Sequence, residues 1–177
     1  MASSVLAEKY PELIEHLILI GSGPLEDKYV SEIGARRFQN LSAEDGAILQ
    51  RLIDNQATDE DMEKIPNIFE KTDNYCLESR EEHKADKTDS EMHNKVWSEA
   101  AKLRTSGKLL KSFQNIKNKI YLIQGQVDPH PVKGVTIPLQ ENGVLCETYV
   151  LEECGHSPFM EKYAKDEFYK ILTQVIA

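Results

Sequence analysis

Three short stretches of the chain are apolar throughout instead of alternating: His16–Ile20 (HLILI), Ile120–Gln124 (IYLIQ) and Thr148–Leu151 (TYVL). Continuous apolar runs of this length suit strands covered on both faces, as in a parallel sheet. Each run ends near a glycine or polar turn and is followed by helix-compatible sequence. That alternation predicts βα units with right-handed crossovers. Between the first two runs the signals are helical only. In LSAEDGAILQRLI, Ser42 stands as N-cap ahead of acids in the first turn, and Thr58 before DEDMEKI repeats the device. DSEMHNKVWSEAAKLRTSG sets Met92, Val96, Ala100 and Leu103 on one face and stops near Ser106-Gly107. Trp97, beside Met92 and Val96, reads as packed core of this helical segment. A proline-rich loop, VDPHPVKGVTIPLQENG, leads into a helix of two or three turns. The last helix is predicted from Pro158, suited to a first helical turn, to Ile176, burying Phe159, Tyr163, Phe168, Ile171, Leu172 and Val175. The pattern therefore predicts an α/β fold with a sheet core from 1–25 and 115–177. A helical insertion, 26–114, lies between the first two strands.

At 177 residues and 40% hydrophobic composition, the chain can bury one ordinary core. Its net charge of -9 argues against nucleic acid as a partner, because phosphate binding needs clustered Lys and Arg. The excess is uneven: 58–99 holds thirteen Asp and Glu against six Lys and Arg, the composition of a solvated helical surface. No apolar run approaches the roughly 18 residues of a membrane span, and MASSVLAEKYPE lacks the plan of a signal peptide. Cys76, Cys146 and Cys154 share no metal-like spacing and are odd in number, which suits a reduced cytoplasm. No cofactor or metal is expected.

The candidate chemistry sits at two strand ends. After the second strand the order is glycine, then Asp128 in GQVDPHP; after the third it is glycine, then His156 in ECGHSPFMEK. A carboxylate and an imidazole at the C-terminal ends of neighbouring parallel strands fit one task. The carboxylate accepts the Nδ1 proton and steadies the imidazolium, while Nε2 faces a nucleophile. Ligands of open α/β sheets bind at that edge. Other roles stand beside this one. Asp128 before Pro129 could be an Asx-turn residue, and His156 a turn histidine. His130 invites a metal set of Asp128, His130 and His156, but the neighbouring prolines suggest a rigid turn. Cys154 as a nucleophile would need a base within reach, and a residue two positions from His156 usually points elsewhere.

This arrangement resembles the α/β-hydrolase superfamily, in the branch with a helical lid between the sixth and seventh strands, proline iminopeptidase-like enzymes among them. AEKYPELIEHLILIGSGP looks like the helix after the nucleophile elbow followed by strand six. The helical middle looks like the lid. Gln126-Val127-Asp128 is similar to the acid turn after strand seven, and Gly155-His156-Ser157-Pro158 to the base turn after strand eight. The resemblance implies His156 as catalytic base and Asp128 as its orienting acid; in some members the acid follows strand six, where Glu26 or Asp27 stands. It also places Leu25, Tyr29 and Phe38 along a lid-covered pocket. Members carry the nucleophile in G-x-S-x-G at the strand-five elbow, ahead of the acid and the base. No such motif occurs in these residues, and counting back from Pro11 puts the expected serine before Met1. Ser3 and Ser4 would lie beyond the elbow, packing or capping.

The chain is thus expected to be the C-terminal part of an α/β-hydrolase sheet, three parallel strands with an inserted lid. It would belong to a serine hydrolase of a small-molecule ester, amide or peptide-like bond and be inactive alone. The alternative is a non-catalytic remnant or an oligomerising module. The strand at 16–20 would expose an apolar edge, so a homo-oligomer through that edge is expected.

Overall fold

The computed structural model describes residues 2–39, 41–54, 56–78 and 90–177, with the side chains of 2 and 90–94 outside the description. Three strands form one parallel sheet in the order β1 (His16–Ile20), β2 (Lys119–Gly125), β3 (Cys146–Leu151). All three runs singled out by their apolar character are therefore strands, with ends shifted by at most two residues. Leu17 pairs with Ile120 and Ile20 with Ile123, while Gly125 pairs with Leu151, so the three chains leave the sheet at one edge.

The continuous apolar character of β2 has a direct cause: both of its faces are covered. Ile120 and Leu122 pack on one side with Leu17 and Leu19 of β1. This layer is closed by Leu109 and Phe113 of α6 (Lys108–Gln114) and by Val135 and Leu139 of α7 (Lys133–Glu141). Tyr121 and Ile123 point the other way, onto Phe168, Ile171 and Val175 of α8 (Lys165–Ile176). Leu122 and Ile123 are fully buried, and each such side chain contributes roughly 1.5–3 kcal/mol of hydrophobic stabilisation. The short α1 (Ala2–Lys9) lies against α6 and β1. Its Ser4 is buried next to Ser112, whereas Ser3 is exposed.

Helices α2 (Val30–Gln39), α3 (Ala43–Ile53), α4 (Asp59–Asp73) and α5 (Ser90–Thr105) occupy the stretch between β1 and α6. Their start signals are realised. Ser42 Oγ accepts the Asp45 N–H at 3.1 Å, and Thr58 forms a reciprocal capping box with Asp61. Ile48, Ile65 and Ile68 make a small separate core between α3 and α4. On α5, Ala100 is buried and Leu103 packs toward the sheet layer. Val96 and Trp97 are more than half exposed, so Trp97 is not part of a helical core. The side chain of Met92, predicted on the same face, lies outside the described residues.

The largest departure from the sequence pattern is at the end of the chain. The final helix begins at Lys165, not near Pro158, and Phe159 and Tyr163 are exposed. Residues 158–164 form turns and a bridge between Glu161 and Leu77. The apolar spacing there was compatible with a helix, but the Glu161 side chain is fully buried and bonded to backbone amides elsewhere, which holds these residues in turns.

Candidate active site

The acid turn grows directly out of β2. After Gly125, Gln126 N–H donates to Leu151 O and Val127 N–H to Cys154 O, so the turns following β2 and β3 are laced together. Their closeness requires a residue without a side chain, since a Cβ on Gly125 would sit 2.1 Å from Gly155 O. The turn delivers Asp128 to a position with no exposure at all. Its carboxylate is nonetheless fully engaged. Oδ1 accepts the His130 backbone N–H at 2.8 Å and lies 2.8 Å from His130 Nδ1. Oδ2 lies 3.0 Å from His156 Nδ1 and accepts from Gln124 Nε2 at 3.2 Å. An ionised carboxylate only accepts, so both Nδ1 atoms carry their protons toward it. For His156 this leaves Nε2 as the nitrogen able to take up a proton.

The sequence thus placed Asp128 and His156 at two strand ends, and the fold brings their side chains into contact. The ring centroids of His130 and His156 are 4.5 Å apart, tilted by 34°, so one carboxylate serves two neighbouring imidazoles. Ligand atoms of Asp128, His130 and His156 lie within 4.8 Å of one another, close enough to share a metal ion. As they stand, the three side chains are joined by hydrogen bonds from both imidazoles to Asp128. Glu26 pairs with Lys28 and Asp27 with Arg104, so neither candidate after β1 is engaged with His156.

Electrostatics follow from this burial. Desolvation pushes the Asp128 carboxyl up, but the hydrogen bonds from His130 and His156 outweigh it and hold the group below the ordinary carboxylate value. The bond to Asp128 raises His156 above the ordinary imidazole value, against the opposite pull of burial. The nearby Asp73 charge adds to the rise and Arg37 opposes it. Cys154 is buried, and burial, with the charges of Glu161 and Asp128, pushes its thiol up to about 12. It is a neutral packing residue at physiological pH and a poor nucleophile.

Several residues around the site were not singled out from the sequence. Gln124, polar and fully buried at the end of an otherwise apolar strand, donates to Asp128 and His130 O and accepts from Ser22 N–H. A lone polar residue closing an apolar run was the available signal. Arg36 of α2 donates to Asp128 O at 2.8 Å, and Arg37 forms a two-pronged pair with Asp73. No local pattern marks these, because both contacts span the inserted helices. Leu25 packs in the core with Val135, Tyr29 is also buried, and Phe38 rests near Gly46.

No protein-family model matches the sequence, and no curated protein matches it. Solved structures do. VinJ superimposes with a TM-score of 0.66 at 13% identity, over 98% of this chain and 60% of its own. Proline iminopeptidase of Mycobacterium smegmatis gives 0.57 at 16%, again over 98% and 60%. A bacterial membrane phospholipase A gives 0.52 at 14%, over 98% and 53%. The fold is that of the α/β-hydrolases. At such identities the likeness is one of fold, and the chain spans about 60% of the length of VinJ and the iminopeptidase, as a C-terminal portion of that fold would.

The paired shifts define a pH window for stability. The raised His156 contributes stability that is complete below its unfolded pKa and lost as pH rises through its folded value. The lowered Asp128 contributes stability present above its unfolded pKa and lost as pH falls through its folded value. Urea midpoints measured against pH should therefore fall on both sides of a plateau. In Asp128→Asn both limbs should flatten, with the midpoint on the plateau also lower.

Proposed function

We propose that this chain carries the acid and the base of a serine hydrolase acting on a small-molecule ester, amide or peptide-like bond. Its nucleophile would be supplied from outside these 177 residues. The observation that carries this reading is the 3.0 Å contact between Asp128 Oδ2 and His156 Nδ1 at adjacent strand ends of an α/β-hydrolase fold. In the reaction His156 Nε2 would take the proton of a serine hydroxyl as it attacks the substrate carbonyl. It would then return that proton to the leaving group, with Asp128 holding the tautomer and stabilising the imidazolium throughout. Oxyanion donors in this fold come from the residue after the nucleophile and from an earlier loop, so they too would be supplied from elsewhere. The stretch 26–114 would act as a lid over the substrate. Arg36, which donates to Asp128 O, and Asp73, whose carbonyl accepts the His156 N–H, are among the contacts that tie it to the site.

A chain extended upstream to include a serine elbow is the direct test. It should hydrolyse small p-nitrophenyl esters or aminoacyl amides, and His156→Ala should lower kcat by roughly 10²–10⁴-fold. Hydrolysis that survives His156→Ala, or an upstream reading frame with no G-x-S-x-G ahead of Pro11, would overturn the reading.

A second reading rests on β1. Among the described residues it pairs on one side only, and Ile20 and nearby Leu13 are exposed. Such an edge recruits a further strand, so the chain by itself would form a homodimer through residues 16–20, with or without activity. Light scattering should give twice the monomer mass, and a monomer at micromolar concentration would contradict it.

A further inference from the structure

Glu161 is a fully buried carboxylate that plays no part in the proton transfer above. It forms no ion pair among the described residues, and its oxygens are satisfied by backbone amides instead. Oε1 accepts from Tyr75 N–H at 2.7 Å and Gly155 N–H at 2.8 Å, and Oε2 accepts from Cys76 N–H at 2.6 Å. These donors come from two remote places, the chain leaving α4 and the turn that presents His156. The seam between them is continued by Lys162 N–H to Cys76 O, Glu78 N–H to Met160 O, and His156 N–H to Asp73 O at 2.6 Å. Two successive amides of the histidine turn are thus anchored, one to Glu161 and the next to Asp73. Asp73 is itself gripped by Arg37 of α2.

The seam is tight enough to dictate sequence. A Cβ on Gly155 would lie 2.2 Å from Asp73 O and 2.9 Å from Glu161 Oε1. The backbone of the histidine turn is therefore held on one side by the turn after β2 and on the other by the segment after α4 together with one carboxylate.

We propose that Glu161 is a positioning residue for His156, fastening the histidine turn to the segment after α4 so that the imidazole meets Asp128 only while that segment is seated. This rests on the reading of His156 as the base, but its test does not need catalysis. The inserted helices and the base would then move as one unit. Displacing the 73–78 segment would withdraw the imidazole from Asp128 without touching either side chain.

The experiment is a ring-proton NMR titration of His156 in the 177-residue chain, comparing wild type with Glu161→Gln and Glu161→Asp. The groups facing His156 are Asp128, His130, Asp73 and Arg37, and all are left in place. Glu161→Gln removes the charge and sets an amide donor against backbone N–H groups. Glu161→Asp keeps the charge but shortens the reach by one methylene. Both should lower the His156 midpoint by roughly one pH unit, a tenfold loss of the preference for the imidazolium. A midpoint unchanged in both variants, or lowered in Glu161→Gln alone, would overturn the proposal, the latter because charge and not reach would be the cause. If neither variant folds, amide exchange in the wild-type chain decides. The amides of Tyr75, Cys76, Gly155 and His156 should share one opening free energy, and independent exchange of the two pairs would overturn it.

Discussion

An ionised carboxylate sealed from water is costly unless donors replace its hydration shell. Asp128 has such a shell made of protein: one backbone amide, one glutamine amide and two imidazoles. Supplying it constrains a surprising amount of the structure. Gln124 must stay in strand register to reach the acid turn. The turns after β2 and β3 must lie against each other, which requires the glycines at 125 and 155. The histidine turn must in turn be held from the far side, where Asp73 and Glu161 take its two amides. The sheet edge, the inserted helices and the chain before α8 are thus bound into one hydrogen-bonded assembly around a single buried charge.

Much of this was legible in the sequence, for identifiable reasons. IYLIQ announces a strand because β2 is covered on both faces, by α6 and α7 on one side and α8 on the other, whereas HLILI and TYVL form strands that are only partly buried. Ser42 and Thr58 announce helix starts because capping is a local interaction between residues three apart. Asp128 and His156 were identifiable because each follows a glycine at the C-terminal end of an apolar strand, where neighbouring parallel strands can bring two turns together. What escaped was non-local. The spacing of Phe159, Tyr163 and Phe168 suits a helix, and nothing nearby reveals that Glu161 is drawn inward by amides some 85 positions earlier. Trp97 was expected inside because large aromatics usually are, yet it stands exposed on α5. His130 was visible as a residue but not as a second donor to Asp128, since that depends on how the two turns close.

The sheet and its likeness to VinJ and the iminopeptidase establish an α/β-hydrolase fold. The hydrolytic reading is a proposal that rests on the contact of Asp128 with His156. The separate isoleucine core of α3 and α4 lets these helices hold together as a body of their own.

The account stands on His156 donating its Nδ1–H hydrogen bond to Asp128, which leaves Nε2 as the nitrogen that can take up a proton. It is tested most directly by the ¹⁵N spectrum of the imidazole at a pH above the His156 midpoint. The account predicts the Nδ1–H tautomer, with a downfield-shifted Nδ1 proton that disappears in Asp128→Asn. A neutral ring protonated at Nε2, with no bonded Nδ1 proton, would contradict it.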